Sequence, residues 1–437
     1  MQHSHDVVIV GAGTTGAAAA YHLSQAGVGD ILCLDMGRPG EGRSETVTVA
    51  ADTPLLAGEE ATYMPHASGS RVFAGGAQGP RTIKMIVTLP PYLMLDGFAD
   101  LFGWEGVRTY LELARQGRDL ELQLAAQLLP DPSQQVRQNG SLMVCEEERA
   151  GRLRQEYEWL QKLECPCEWW DKEKVIAAHG SAAGYSAGLW FDQDARIDSS
   201  SYARALVEAA VASGAATLRQ HCAAMVAIET VAAGDQVEIQ LADGERIRAR
   251  QAIVATGGMY LDRHLAGLLT PRYSYLAALP HRDPGPPGGM QAPDSANFFT
   301  LGFSHDWCVA DDFVRISGED HYSGLKSPRA GERCGRLAKW GWNRYPYLAF
   351  GAPYPTSYGI YSETADFMPL VGSPDDNSRI CYMVGCNAWG QASLSAAAAL
   401  APALLGYREF TPDEARTARL FSLRRFSASA TLRRSQR

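Results

Sequence analysis

The sequence predicts an α/β protein in which a Rossmann-type unit opens the chain, is interrupted by a second unit, and is resumed further on. Three stretches carry this expectation: DVVIVGAGTTGAAAAYHLSQAGVGDILCLD at residues 6–35, an apolar strand running into A-T-G-G at 252–258, and a strand, glycine turn and alanine helix at 380–406. Val7, Val8, Ile9 and Val10 form a β-branched run bounded by glycine, the pattern of a strand buried on both faces. Gly11, Gly13 and Gly16 follow in G-x-G-x-x-G spacing. The first allows a tight turn, the second a close approach of backbone to a pyrophosphate, the third close packing of helix on sheet. The helix from Ala17 to Gln25 is rich in alanine and stops at Gly27, so it can lie flat on the strands and aim its first N–H groups at phosphate. A second apolar strand, Ile31 to Leu34, ends in Asp35, 19 residues after Gly16, where a carboxylate can accept from ribose hydroxyls. The complete order of strand, motif, helix, strand and acid points to a bound dinucleotide. An acid at that position argues against a 2′-phosphate and leaves FAD and NAD open.

Length and composition set the frame. At 437 residues two domains are expected, and 46% hydrophobic with 20% charged residues is ordinary for a soluble globular protein. A net charge of −9 gives no general attraction to nucleic acid or anionic lipid. Nine cysteines and ten histidines lack metal-ligand spacing, so no metal is expected, and reduced thiols fit a cytoplasmic protein. Only MQHSH precedes the first strand, which leaves no room for a signal peptide, and the Ala392–Leu405 run is too short and interrupted for a membrane span. The arginine-containing end, 420–437, reads as a solvated tail.

Between the dinucleotide stretches the chain changes character. MGRPGEGRSETV after Asp35 reads as a loop over the cofactor rather than a third strand, and Gly75-Gly76 suits backbone lying against a flat ring. Arg81 and Lys84 would share one face of a helix started by Pro80. Helix is expected at 105–128 and 146–164, strand at 141–145, and packing roles for Trp169 and Trp170. Asp198 or Ser199 can cap a helix ending at Gly214, followed by strands near 224–230 and 236–241 and a turn at Asp243-Gly244. A proline- and glycine-rich loop fills 280–293, short strands follow at 298–303 and 313–317, and 340–361 is rich in aromatics.

Four pieces together carry a family likeness: GAGTTG with Asp35, the A-T-G-G strand end, Thr364, Asp366, Pro369 and Gly372 in T-x-D-x-x-P-x-x-G order, and the final strand, turn and helix. The chain resembles the FAD-dependent amine and amino acid oxidases of the D-amino acid oxidase superfamily, the branch of glycine oxidase and monomeric sarcosine oxidase. The resemblance implies an FAD-binding Rossmann-type domain, residues 1–90, 185–265 and 365–437, with an inserted α+β substrate domain on a mainly antiparallel sheet, residues 91–184 and 266–364. It implies FAD contacts from Gly11, Gly13, Thr14, Thr15, Gly16, Asp35, Met36, Arg43, Ser44, Gly75, Gly76, Arg81, Val226, Thr256, Gly257, Gly258, Asn387, Trp389, Gly390 and Gln391.

The same resemblance implies roles near the reacting carbon. Lys84 stands where the sarcosine oxidases grip the substrate carboxylate with arginine, and lysine lacks the bidentate fork. Lys326, in Gly324-Leu325-Lys326, is similar to a lysine that promotes reaction with oxygen, and Tyr361 matches a tyrosine bordering the substrate. Gly359 replaces the cysteine that anchors flavin covalently, so FAD is expected without a covalent bond, and Gln391 replaces a second carboxylate-binding lysine. The implied activity is oxidation of a small amine or amino acid to an imine, with O2 reduced to hydrogen peroxide. A dehydrogenase passing electrons to a quinone or carrier protein, an enzyme tailoring a larger intermediate, and a protein with a structural flavin are the alternatives. Trp340, Trp342, Tyr345, Tyr347 and Trp389 suggest an aromatic-lined pocket.

Overall fold

The computed structural model describes residues 4–39, 45–49, 83–90, 94–179, 183–231, 235–257, 260, 262–282, 297–309, 313–322, 327–352 and 354–426. Parallel pairing builds the first of two large sheets, in the order Ala216–Arg219, Ile31–Leu34, Ser4–Val10 and Arg246–Val254. The last of these strands forks. Its first half pairs antiparallel with Val237–Leu241, and its second half pairs parallel with Ile380–Val384. Val7 and Ile9 meet Ala17, Ala20 and Leu23 of the helix Thr14–Gln25, whereas Val8 and Val10 meet Leu32, Ile239 and Tyr382 on the opposite side. Both faces of the first strand are therefore covered, which is why it reads as an unbroken apolar run.

The second sheet has nine strands, in the order Glu45–Val49, Tyr354–Thr364, Leu269–Pro280, Phe313–Tyr322, His305–Val309, Asn297–Thr300, Ser141–Cys145, Ala187–Phe191 and Glu168–Trp170. Eight junctions join these strands, and all are antiparallel except that between Asn297–Thr300 and Ser141–Cys145. One face is apolar. Ala277, Leu279, Val314 and Ile316 pack against Leu337 and Ala338 of the helix Ala330–Arg344. Trp340, Trp342, Tyr345 and Tyr347 belong to this core or pack against it, so four of the five expected pocket aromatics serve packing instead.

Several expectations are corrected here. The loop after Asp35 gives way to the strand Glu45–Val49, which joins the nine-stranded sheet, as does Ala187–Phe191; both stretches were expected in the cofactor domain. Lys84 lies on the strand Ile83–Ile86, opposite Ile197, and not on a helix, because four residues with two isoleucines fit a strand of the small third sheet. The chain end is anchored as far as it is described: Phe421 is buried, and Arg425 makes two hydrogen bonds to Asp366, at 2.7 and 3.0 Å. No helix among the described residues is long and apolar enough to cross a membrane.

The long helix Leu95–Leu128, broken at Gly103 with φ of 67°, crosses the helix Gly390–Ala399 at close range. A Cβ on Gly117 would lie 1.9 Å from the Ala392 carbonyl oxygen, so only glycine permits the crossing. Gly117→Ala should therefore separate the two helices and cost at least about 1–3 kcal/mol, seen as a lowered midpoint in thermal unfolding.

Candidate active site

The glycine turn is assembled by backbone contact. Gly11 has φ of +97°, and a Cβ there would come within 2.6 Å of the Ala255 carbonyl oxygen. A Cβ on Gly16 would sit 1.9 Å from the Gly11 carbonyl oxygen, so strand, turn and helix touch through glycine alone. Gly13 differs: a Cβ would meet nothing within 4 Å, because its Cα faces a cleft. Thr14, Thr15 and Met36 line that cleft as well. The helix beginning at Thr14 has no side-chain cap and no acid in its first turn, so its leading N–H groups suit an anionic ligand. Asp35 lines the cleft and accepts from the N–H of Ala12 at 2.7 Å and of Gly37 at 2.8 Å. Burial pushes its carboxyl up, and those two backbone bonds pull it back toward the ionised form.

On the other side of the cleft, Thr256, Trp389, Gly390 and Gln391 form part of the wall. Two expected contacts are placed differently. Val226 is 52% exposed and Met225 lines the cleft instead, since neighbouring strand residues point to opposite faces. The Asn387 side chain is fully buried and used within the turn, accepting from the Thr364 N–H at 2.8 Å and donating to the Gly385 carbonyl at 2.7 Å. Gly257 similarly gives its carbonyl to Ser362 Oγ at 3.2 Å.

Behind Gln391 lies Glu121, fully buried on the long helix. Gln391 Nε2 and Ser395 Oγ donate to Glu121 Oε1 at 2.6 and 2.8 Å. Glu121 Oε2 has no hydrogen-bond partner among the described residues. Burial pushes this carboxyl up to about 8, so at neutral pH it holds a proton.

The far wall of the cleft is the polar face of the antiparallel sheet. Ser274, Arg315, Ser317, Asp320 and Tyr361 line it, from three neighbouring strands. Strict alternation from Arg315 and Ser317 would aim Glu319 at the cleft. Instead Tyr275 pairs with Gly318 and Tyr273 with His321, so two residues oppose Ser274 in a β-bulge. Glu319 takes φ of 57° and turns to the helix on the apolar side, where Arg336 bonds its carboxylate at 2.6 Å and Arg333 its carbonyl at 2.6 Å. The left-handed backbone there costs roughly 1–2 kcal/mol, and Asp320 takes the cleft position. Tyr361 donates its hydroxyl to Asp320 Oδ2 at 2.6 Å. Burial pushes the Asp320 carboxyl up, opposed by bonds from Tyr361 and Ser274 and by the charge of Arg272.

Arg315 was not singled out from sequence. It is buried, donates to Asp306 at 3.2 Å and Ser317 at 3.1 Å, and is the one cationic side chain among the described residues that line the cleft. Its signal, an arginine inside a strand of apolar residues, is legible only once the strand's two faces are known. Arg43, Ser44, Gly75, Gly76, Arg81, Gly258 and Lys326, with the side chain of Lys84, lie outside the described residues. The structure brings Tyr361 and Gln391 to one cleft with Gly11, Gly13, Asp35 and Trp389.

A buried acid at the end of the second parallel strand and a glycine turn on one cleft are the features of the dinucleotide-binding class. Over residues 6–403 the sequence matches the DAO family, described as FAD dependent oxidoreductase, and the chain belongs to that family. No curated protein matches it in sequence. Among solved structures it is similar to glycine oxidase from Geobacillus kaustophilus, at 17% identity and TM-score 0.68, covering 97% of this chain and 99% of that one. L-α-glycerophosphate oxidase from Mycoplasma pneumoniae, solved with FAD bound, shares 14% identity and TM-score 0.66 over 94% and 98% of the two chains. NikD, an unusual amino acid oxidase essential for nikkomycin biosynthesis, gives 17% and 0.64 over 96% and 98%. At these identities the neighbours establish a shared fold.

The turn and the buried acid make three variants informative. Gly13→Ala should fold normally but bind FAD more weakly in a titration followed by flavin fluorescence. Gly16→Ala, with its backbone clash, should lose at least about 1–3 kcal/mol of stability. For Glu121, the folded state keeps a proton that the unfolded chain releases, so stability falls as pH rises from its ordinary 4.5 to about 8 and is flat outside that window. The slope is roughly 1.4 kcal/mol per pH unit. Glu121→Gln should match the parent's melting temperature near the acidic limit and exceed it near the alkaline one; parallel melting profiles across pH would rule out this assignment.

Proposed function

We propose that this FAD-dependent oxidoreductase is an oxidase of an amine or amino acid. The observation that supports this best is the continuity of one cleft from the glycine turn and Asp35 to the polar wall of Arg315, Asp320 and Tyr361. A dinucleotide laid from the ribose-facing acid along that cleft brings its redox end to the polar wall, where a substrate would be held. Glycine oxidase and NikD, by name, act on amino acids, and the same fold serves a glycerophosphate oxidase, so the fold alone does not select nitrogen. The acid-rich wall favours an amine.

FAD, when bound, would supply two-electron oxidation of the carbon bearing the nitrogen, with O2 as the terminal acceptor reduced to hydrogen peroxide. Gly13 and the start of the Thr14–Gln25 helix would hold its pyrophosphate, and Asp35 would hold the adenosine ribose. Gly359 provides no thiol, so the cofactor is held without a covalent bond. By family resemblance Tyr361 would border the substrate, and Lys84 would meet a carboxylate where the substrate carries one. A cation beside the site stabilises negative charge as oxygen is reduced. Lys326 takes that part by family resemblance, and Arg315 is the described cation of the wall.

Acid precipitation should release the flavin into the supernatant, and anaerobic mixing with a panel of D- and L-amino acids and N-methyl amines should bleach it. Replacing the oxygen-directed cation, Lys326→Met or Arg315→Met, should slow reoxidation by ~10-fold or more while sparing reduction. Pigment that stays with the pellet sinks the noncovalent reading, and a flavin that no amine bleaches sinks the oxidase.

A further inference from the structure

Gln391 lines the cleft, yet its amide nitrogen is committed behind the wall. Nε2 donates at 2.6 Å to Glu121 Oε1 on the long helix, and Ser395, one turn further along Gly390–Ala399, donates to the same oxygen at 2.8 Å. The helix crossing locks this pair. Gly117, one turn before Glu121, is the position where a Cβ would strike the Ala392 carbonyl oxygen, so residues on this face of both helices meet at a fixed distance. From the helix Ser199–Ala212, Tyr202 interacts with the same carboxyl. Burial first, then the charges of Glu121 and Tyr21, holds its phenol well above the ordinary range, so it stays neutral. No cation opposes the effect of burial on Glu121 itself. With two donors on Oε1, the carboxyl carries its proton on Oε2, which has no partner among the described residues.

Position in the sheet tells which part of the cofactor Gln391 addresses. Ile31–Leu34, Ser4–Val10, Arg246–Val254 and Ile380–Val384 lie side by side and parallel; Asp35 follows the first of them, and the turn carrying Gln391 follows the last. Three strand spacings, about 14 Å, separate those two ends. A dinucleotide whose ribose lies at Asp35 therefore reaches Gln391 with its redox half, the flavin ring. Holding Nε2 on Glu121 turns the other end of the planar amide, Oε1, to the cleft, where it can accept from a ring N–H. The same connection conveys charge. When Glu121 loses its proton, a negative charge appears one amide away from the ring, in surroundings that screen it poorly.

We infer that Glu121 is a positioning residue for the cofactor: through Gln391 it presents an amide oxygen to an N–H of the flavin ring, and the bound flavin senses whether Glu121 is charged. The inference requires FAD and not the amine reading above, so the two fail separately. The holoenzyme is tested without substrate. As pH rises through about 8, the visible spectrum of the bound flavin is expected to change. Glu121→Gln, whose amide oxygen accepts the same two bonds and does not ionise, should match the parent below that point and stay unchanged above it, a difference that a packing role does not produce. Glu121→Leu removes the acceptor and should hold FAD about 5-fold more weakly in a titration followed by flavin fluorescence, the equivalent of one neutral hydrogen bond. In a Gln391→Leu background the same substitution should add nothing, because the connection is already cut. Should Glu121→Leu fail to fold, the spectral titration of Glu121→Gln decides. A parent spectrum that does not move, or that moves alike in parent and Glu121→Gln, overturns the inference. So does a loss of FAD affinity in Glu121→Leu that is absent, or that is equal in both backgrounds.

Discussion

Everything in this fold is referred to one backbone contact, the meeting of Gly11, Gly16 and Ala255. Side chains are excluded from it by distances too short for any Cβ, so the first strand, its helix and the Arg246–Val254 strand are fixed relative to one another with almost no play. The cleft inherits that rigidity. Val10 and Ala255 end adjacent parallel strands, and the ligand crevice opens beyond the carboxyl ends of those strands, as open parallel sheets require. The forked pairing of Arg246–Val254 then carries the constraint to Ile380–Val384 and on to the Trp389–Gln391 turn.

A second sheet closes the cleft by separating its two faces. Alternate residues of Leu269–Pro280 and Phe313–Tyr322 supply an apolar face for the helix Ala330–Arg344 and a polar face for the substrate side. Polar groups on that wall are bonded to one another, Tyr361 to Asp320 and Arg315 to Asp306 and Ser317, which limits their rotation before any ligand arrives. Gln391 is tied in the same way to Glu121 on a helix of the opposite layer. It thus links the wall of the cleft to the long Leu95–Leu128 helix.

Local pattern explains what the sequence disclosed and what it hid. The Ser4–Val10, Ile31–Leu34 and Ile380–Val384 strands and the Asp198-capped helix are legible because periodicity, glycine and capping residues lie within a few positions of each other. The helix Ala330–Arg344 was hidden, since its three glycines and two tryptophans look like a loop or pocket until the sheet beneath is known. The strand Leu269–Pro280 was hidden too, because both its partners, Tyr354–Thr364 and Phe313–Tyr322, are remote in sequence. Site residues followed the same division. Gly11, Gly13, Asp35 and Trp389 belong to compact motifs, whereas Arg315 and Asp320 acquire meaning from a sheet face and a bulge. Neither can be read without pairing register. Asn387 and Val226 do not line the cleft, whereas the adjoining Ala388 and Met225 do.

The bulge at Glu319–Asp320 has an evolutionary consequence. Pairing is regular on both sides of it, from Pro280 with Phe313 to Tyr275 with Gly318, and again at Tyr273 with His321. A single inserted residue is therefore absorbed where it occurs and the rest of the barrier wall stays in register. Insertion or loss of one residue at this point exchanges which acidic side chain lines the cleft while the flanking register is kept.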